Sequence, residues 1–67
     1  MNNFGKILKE LRMEKRLLQS DLGQHLNVAN NTVCNWERGN SEPSLEQIKI
    51  IAKFFDVSAE YLLGLED

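Results

Sequence analysis

Three asparagines stand close together at Asn30, Asn31 and Asn35, with Cys34 among them and Arg38 one helical turn further on. An Asn side chain carries both a donor and an acceptor, so each can make the paired hydrogen bonds offered by the N6 and N7 edge of adenine. Asn is also a mediocre helix former. Three of them at the start of one short helical stretch therefore ask for a reason beyond local propensity. The plainer alternative is that they are solvated polar residues that cap and solubilise the helix.

Other chemistries find less support in the residues. The chain has one Cys, Cys34, and one His, His25, so neither an internal disulfide nor a four-ligand zinc site can be assembled. A nucleophile with its base could come only from that same pair, on different helices and with no third group to orient them. There is no Gly-rich phosphate loop. The expectation is a non-enzyme with no metal and no cofactor. Oxidation of Cys34 on a reading face would block docking, but only Arg38 is spaced to make its thiol reactive. His25 reads as a solvated residue, with a phosphate contact as the lesser option.

The 67 residues, 42% hydrophobic and 27% charged, suit one small globular domain over 1–67. A chain of this size buries only roughly 60% of the surface it exposes unfolded. No run approaches 18 apolar residues, so no membrane span is expected. The stretch Met1–Lys6 lacks a charged-then-apolar signal pattern, which makes the cytoplasm the expected compartment. The formal net charge is −2, unevenly shared. Residues 1–40 hold six cations and four acids, a net of +2, whereas 41–67 hold two cations and six acids, a net of −4. The basic half is the half with the asparagines, and the acidic half would face away from a polyanion.

The elements that must position these side chains read as helical throughout. Helix 1 is expected over 3–16, from the stripe Phe4, Ile7, Leu8 and Leu11. Helix 2 covers 19–26 with Leu22 and Leu26 inward, and Asn27 tolerates the left-handed conformation that ends it. Helix 3 covers 30–38 with Val33 and Trp36 inward and Gly39 at its end. Ser44 and Gln47 form a capping box for helix 4, over 45–55, with Leu45, Ile48, Ile51, Ala52 and Phe55 on one face. Ser58 caps helix 5, over 59–63, and Gly64 stops it.

Helices 2 and 3 meet the demands of a helix-turn-helix. Two short helices that cross steeply need a small residue in the first, which Gly23 supplies, and a turn residue that accepts positive φ, which Asn27 supplies. Val33 and Trp36 pack the second helix, leaving Asn30, Asn31, Cys34, Asn35 and Arg38 on its other faces.

The stretches Phe4–Arg12, Gln19–Leu22, Asn35–Gly39, Glu42–Leu45 and Phe54–Gly64 together resemble the lambda-repressor-like helix-turn-helix family (Cro/CI type, also called XRE). The resemblance spans nearly the whole chain. It implies an all-α, compact five-helix domain that regulates transcription, as a repressor, by placing helix 3 in the major groove of a palindromic double-stranded DNA operator. It assigns Gln19 to a phosphate, and Asn30, Asn31 and Asn35 to base edges, with Cys34 able to add an apolar contact. The loop Gly39–Ser41, with Asn40 in it, approaches the DNA backbone, and Arg38, Lys15 and Arg16 are candidate phosphate contacts. Arg12 and Glu37 match a partly buried ion pair tying helix 1 to helix 3. The surplus of apolar residues at Tyr61, Leu62, Leu63 and Leu65 suggests a weak homodimer contact.

Two positions depart from the family pattern. Leu18 and Ala29 stand where relatives usually carry Ser or Thr, and each forgoes a side-chain cap worth about 1 kcal/mol. Two rival readings follow: a protein-interaction module of the same fold, such as an antitoxin, and the DNA-binding part of a longer repressor.

Overall fold

The computed structural model describes residues 3–65. Met1, Asn2, Glu66 and Asp67 lie outside the described residues, and with them the ends of the expected 1–67 domain and part of the Met1–Lys6 stretch. The described residues form α1 (Phe4–Glu14), α2 (Gln19–Leu26), α3 (Asn30–Arg38), α4 (Leu45–Phe55) and α5 (Ala59–Leu62), with no strand among them. The bounds of α2, α3 and α4 are those expected. Helix α1 starts one residue late and stops two residues early, and α5 stops one residue early.

All five helices end the same way. A residue with φ between 57° and 79° follows each last turn: Arg16, Asn27, Gly39, Asp56 and Gly64. Its own N–H and the next one turn back onto carbonyls of the last turn, as in Leu17 to Arg12 at 3.1 Å, Val28 to Gly23 at 2.8 Å and Leu65 to Glu60 at 2.8 Å. This Schellman closure satisfies carbonyls that a helix end would otherwise leave bare. It also explains the early stop of α1, because the left-handed Arg16 cannot continue the helix.

The starts of the helices differ. Ser44 Oγ accepts the Gln47 N–H at 3.1 Å while the Gln47 side chain accepts the Ser44 N–H at 2.8 Å, the expected capping box. Ser58 Oγ likewise accepts the Tyr61 N–H at 3.0 Å. Leu18 and Ala29, at the starts of α2 and α3, have no acceptor to offer. At α2 half of the missing box is present nonetheless, since the Asp21 carboxylate accepts the Leu18 N–H at 2.8 Å.

One core joins the elements. Phe4, Leu8 and Leu11 of α1, Leu22 and Leu26 of α2, and Val33 and Trp36 of α3 meet Ile48, Ile51, Ala52 and Phe55 of α4 and Leu62 of α5. Helix α3 packs against both α1 and α2, and α5 closes on α4 and α1. Phe4 meets Trp36 edge to face, with ring centroids 6.4 Å apart. Trp36 is thus a core residue, as its inward place in helix 3 implied.

Two expectations need correction. Leu45 is 76% exposed and does not belong to the α4 core stripe. It is the first residue of its helix, ahead of the turn where α4 meets its neighbours. Leu62 is fully buried and spent on the core of its own chain, so it cannot serve in a dimer contact as expected. Tyr61 and Leu63 are half-buried and Leu65 is 73% exposed.

Candidate nucleic-acid interface

Helices α1, α2 and α3 are held tight by two glycine-dependent close approaches. A β-carbon on Gly23 would stand 2.8 Å from the Val28 carbonyl oxygen, inside the turn. The requirement for a small residue is real, but its cause is the returning turn rather than the facing helix. Gly5 is the second case, and residue type alone gave no sign of it. There a β-carbon would lie 2.6 Å from the Trp36 oxygen and 2.7 Å from the Glu37 oxygen, so α1 rides directly on the backbone of α3.

Five residues of α3 form one outward strip. At 100° per residue, Asn30, Cys34, Arg38, Asn31 and Asn35 fall within an arc of roughly 140°. Val33 and Trp36 lie on the opposite side, buried. Asn30, Asn31, Asn35 and Arg38 are exposed, while Cys34 is half-buried and so presents less of itself than its neighbours. Asn40 is exposed just past α3, and its N–H is tied back to the Asn35 carbonyl at 2.9 Å. The closure around Gly39 therefore fixes where the Asn40 loop leaves the helix.

Behind the strip lies a polar network. The Glu37 carboxylate receives the Arg12 guanidinium as a fork, Nε to Oε2 at 2.7 Å and the Nη2 nitrogen to Oε1 at 3.1 Å. A third Arg12 nitrogen donates to the Leu17 carbonyl at 2.7 Å. The Arg12 and Glu37 side chains are 12% and 4% exposed, so the expected partly buried ion pair is formed. The hydrogen bond that Arg12 donates to Glu37 holds its guanidinium above the usual pKa. Gln19 joins the same carboxylate, Nε2 donating to Oε1 at 3.1 Å. Helices α1, α2 and α3 are thereby locked through one residue, and no buried side-chain polar atom is left without a partner among the described residues.

The remaining candidates are scattered more widely. Lys15 and Arg16 are exposed at the end of α1. His25 is exposed, with its ring 5.0 Å from that of Phe54, a contact joining α2 to α4. Among the described residues no group of His, Cys, Asp or Glu is placed to hold a metal, and no helix is long and apolar enough to cross a membrane.

An exposed polar strip on the second of two tightly joined short helices, backed by a third, defines a helix-turn-helix domain of lambda-repressor-like fold. The helix-turn-helix family model matches residues 8–62, and the chain belongs to that family. It is 38% identical over 64 residues to the HTH-type transcriptional activator BcrR of Enterococcus faecalis, covering 96% of this chain and 31% of that protein. It is 40% identical over 60 residues to an HTH-type transcriptional regulator of Methanocaldococcus jannaschii, covering 90% of this chain and 91% of that one. The crystal structure of the P22 c2 repressor in complex with synthetic operator 9T matches with a TM-score of 0.89 at 27% identity, covering 98% of this chain and 100% of that one. The first curated relatives are longer: the chain spans 31% of one and 51% of the next.

Proposed function

We propose that this chain is a sequence-specific DNA-binding regulator of transcription that reads an operator with α3 in the major groove. The observation that carries the reading is the single exposed strip of Asn30, Asn31, Asn35 and Arg38, presented by a scaffold that matches a repressor bound to its operator. The asparagines can pair with adenine edges, and Arg38 and the Asn40 loop supply backbone contacts that set the register. Gln19, at the start of α2, adds a phosphate contact.

The dimensions favour a pair of copies on one operator. The domain measures 28 × 23 × 20 Å. Half-sites on one face of the duplex recur every ~34 Å, more than one copy spans. A weak dimer through Tyr61, Leu63 and Leu65, completed on a palindromic site, fits that spacing. The sign of regulation follows from where the operator lies relative to the promoter, and repression is the reading that the match to a repressor–operator complex supports.

The test begins with selection of bound duplexes from a random-sequence library. Titrations of the selected and a random duplex at two salt concentrations then separate base reading from phosphate attraction. Asn31→Ala is expected to weaken the selected duplex by roughly 1–3 kcal/mol and the random one hardly at all. Equal affinity for every duplex, unchanged in Asn31→Ala, would end the specific-reader proposal.

A further inference from the structure

The Arg12–Glu37 pair looks at first like a purely structural tie, yet Glu37 Oε1 also holds Gln19. A carboxylate can only accept, so the Gln19 amide must turn its NH2 end inward and cannot flip. One of the two Nε2 hydrogens is committed to Glu37 at 3.1 Å. The other, on the same planar nitrogen, is left to donate, and its direction is set by the first. Gln19 is half-buried and stands at the start of α2, so this second hydrogen is offered at the edge of the helix-turn-helix.

We propose that Glu37 is a positioning residue: it fixes the Gln19 side chain in advance in the one rotamer and amide orientation that donates to a DNA phosphate. The inference rests on the DNA-binding reading of the domain. A long flexible side chain normally gives up rotamer freedom when it binds. Here the freedom is already surrendered in the free protein, so the contact costs less on docking. A carboxylate near a phosphate would ordinarily repel it. The forked Arg12 cancels that charge, and the burial of both groups keeps the assembly rigid. Arg12 thus acts on DNA binding through Glu37 without touching DNA.

The test is a cycle between Gln19→Ala and the paired variant Arg12→Met/Glu37→Leu in the 67-residue chain. The pair replaces both ionic groups by apolar ones, a change that folded proteins tolerate far better than loss of one partner. Binding is measured to a duplex selected by the unaltered chain. Gln19→Ala is expected to weaken binding by about tenfold in the unaltered background, the scale of one hydrogen bond to a charged group. In the paired background it is expected to weaken binding by less than about threefold, because an untethered Gln19 contributes little. Equal losses in both backgrounds, or no loss in the first, overturn the positioning role and leave the DNA-binding reading standing. Failure of the unaltered chain to bind any duplex at low salt removes both. A second measurement needs neither DNA nor a variant. In the free protein the two Gln19 side-chain amide protons should show widely separated NMR shifts and slowed exchange. Shifts and exchange of a free amide overturn the inference by themselves.

Discussion

Gly5 of α1 lies so close to Trp36 of α3 that a β-carbon would stand 2.6 Å from the Trp36 carbonyl oxygen. The obstructing atoms are backbone, held by the α3 hydrogen bonds, and cannot swing aside like a side-chain tip. Ala in place of Gly within an exposed helix ordinarily gains about 1 kcal/mol. Here the overlap, of the kind that costs about 1–3 kcal/mol or more in a packed interior, opposes that gain. Gly5→Ala is expected to lower stability by about 1–2 kcal/mol in urea unfolding, against its helix propensity. A rise in the unfolding midpoint would show that α1 has room to move off α3.

The Arg12–Glu37 pair predicts an asymmetry. Arg12→Met leaves Glu37 with only Gln19 as a partner and should cost about 3 kcal/mol, the low end for a broken buried pair because Arg12 keeps some solvent. Arg12→Met/Glu37→Leu should recover most of that. The pH dependence follows from the raised pKa of Arg12. A raised folded pKa gives stability that is fully present below the ordinary arginine value and is lost only as pH climbs through the folded one. The Arg12 contribution should therefore stay constant from neutral to mildly alkaline pH. Chemical unfolding of the three proteins at two such pH values checks both points.

Arg16 and Asp56 hold left-handed backbone positions, with φ of 57° each, that favour glycine. A side chain there costs about 1–2 kcal/mol, part of which glycine gives back through the greater freedom of its unfolded chain. Arg16→Gly should stabilise the domain by about 0.5–1 kcal/mol, and Asp56→Gly by about 0.5 kcal/mol, since Asp tolerates the conformation better than Arg. For a protein of this size that is a rise of roughly 2–8 °C in Tm, readable by calorimetry. Asn27→Gly should gain less, since Asn already tolerates the conformation.

Leu18 and Ala29 leave the two helices of the motif without a side-chain acceptor, while Ser44 and Ser58 cap α4 and α5. Both uncapped positions are exposed, so little packing is lost on substitution. Leu18→Ser would complete the box that Asp21 already half forms, and Ala29→Ser would cap the reading helix. Each is expected to add about 1 kcal/mol, additively because they serve separate helices. A thermal melt in which neither substitution raises Tm would mean that these N–H groups are already satisfied by solvent.

The sequence by itself determined the helices and the strip. Apolar spacing set the bounds of α2, α3 and α4, because period and caps are local properties of the chain. Asn27, Gly39 and Gly64 announced their turns through residue type, and the asparagines announced their chemistry. Arg16 gave no such notice, since arginine does not favour the left-handed backbone that closure of its helix imposes, and Asp56 gave less notice than Asn27, aspartate visiting that backbone only occasionally. The Arg12–Glu37 pair was legible only through resemblance to a family. The tertiary structure alone decided that Leu45 faces solvent and Leu62 the core, that Gly5 touches the backbone of α3, and that Gln19 shares a carboxylate with Arg12. These depend on where whole helices lie against one another, across separations of 18 to 25 residues for the Glu37 contacts, and no local pattern encodes such a meeting. The strip on α3 could be read from spacing. What braces it had to be seen in three dimensions.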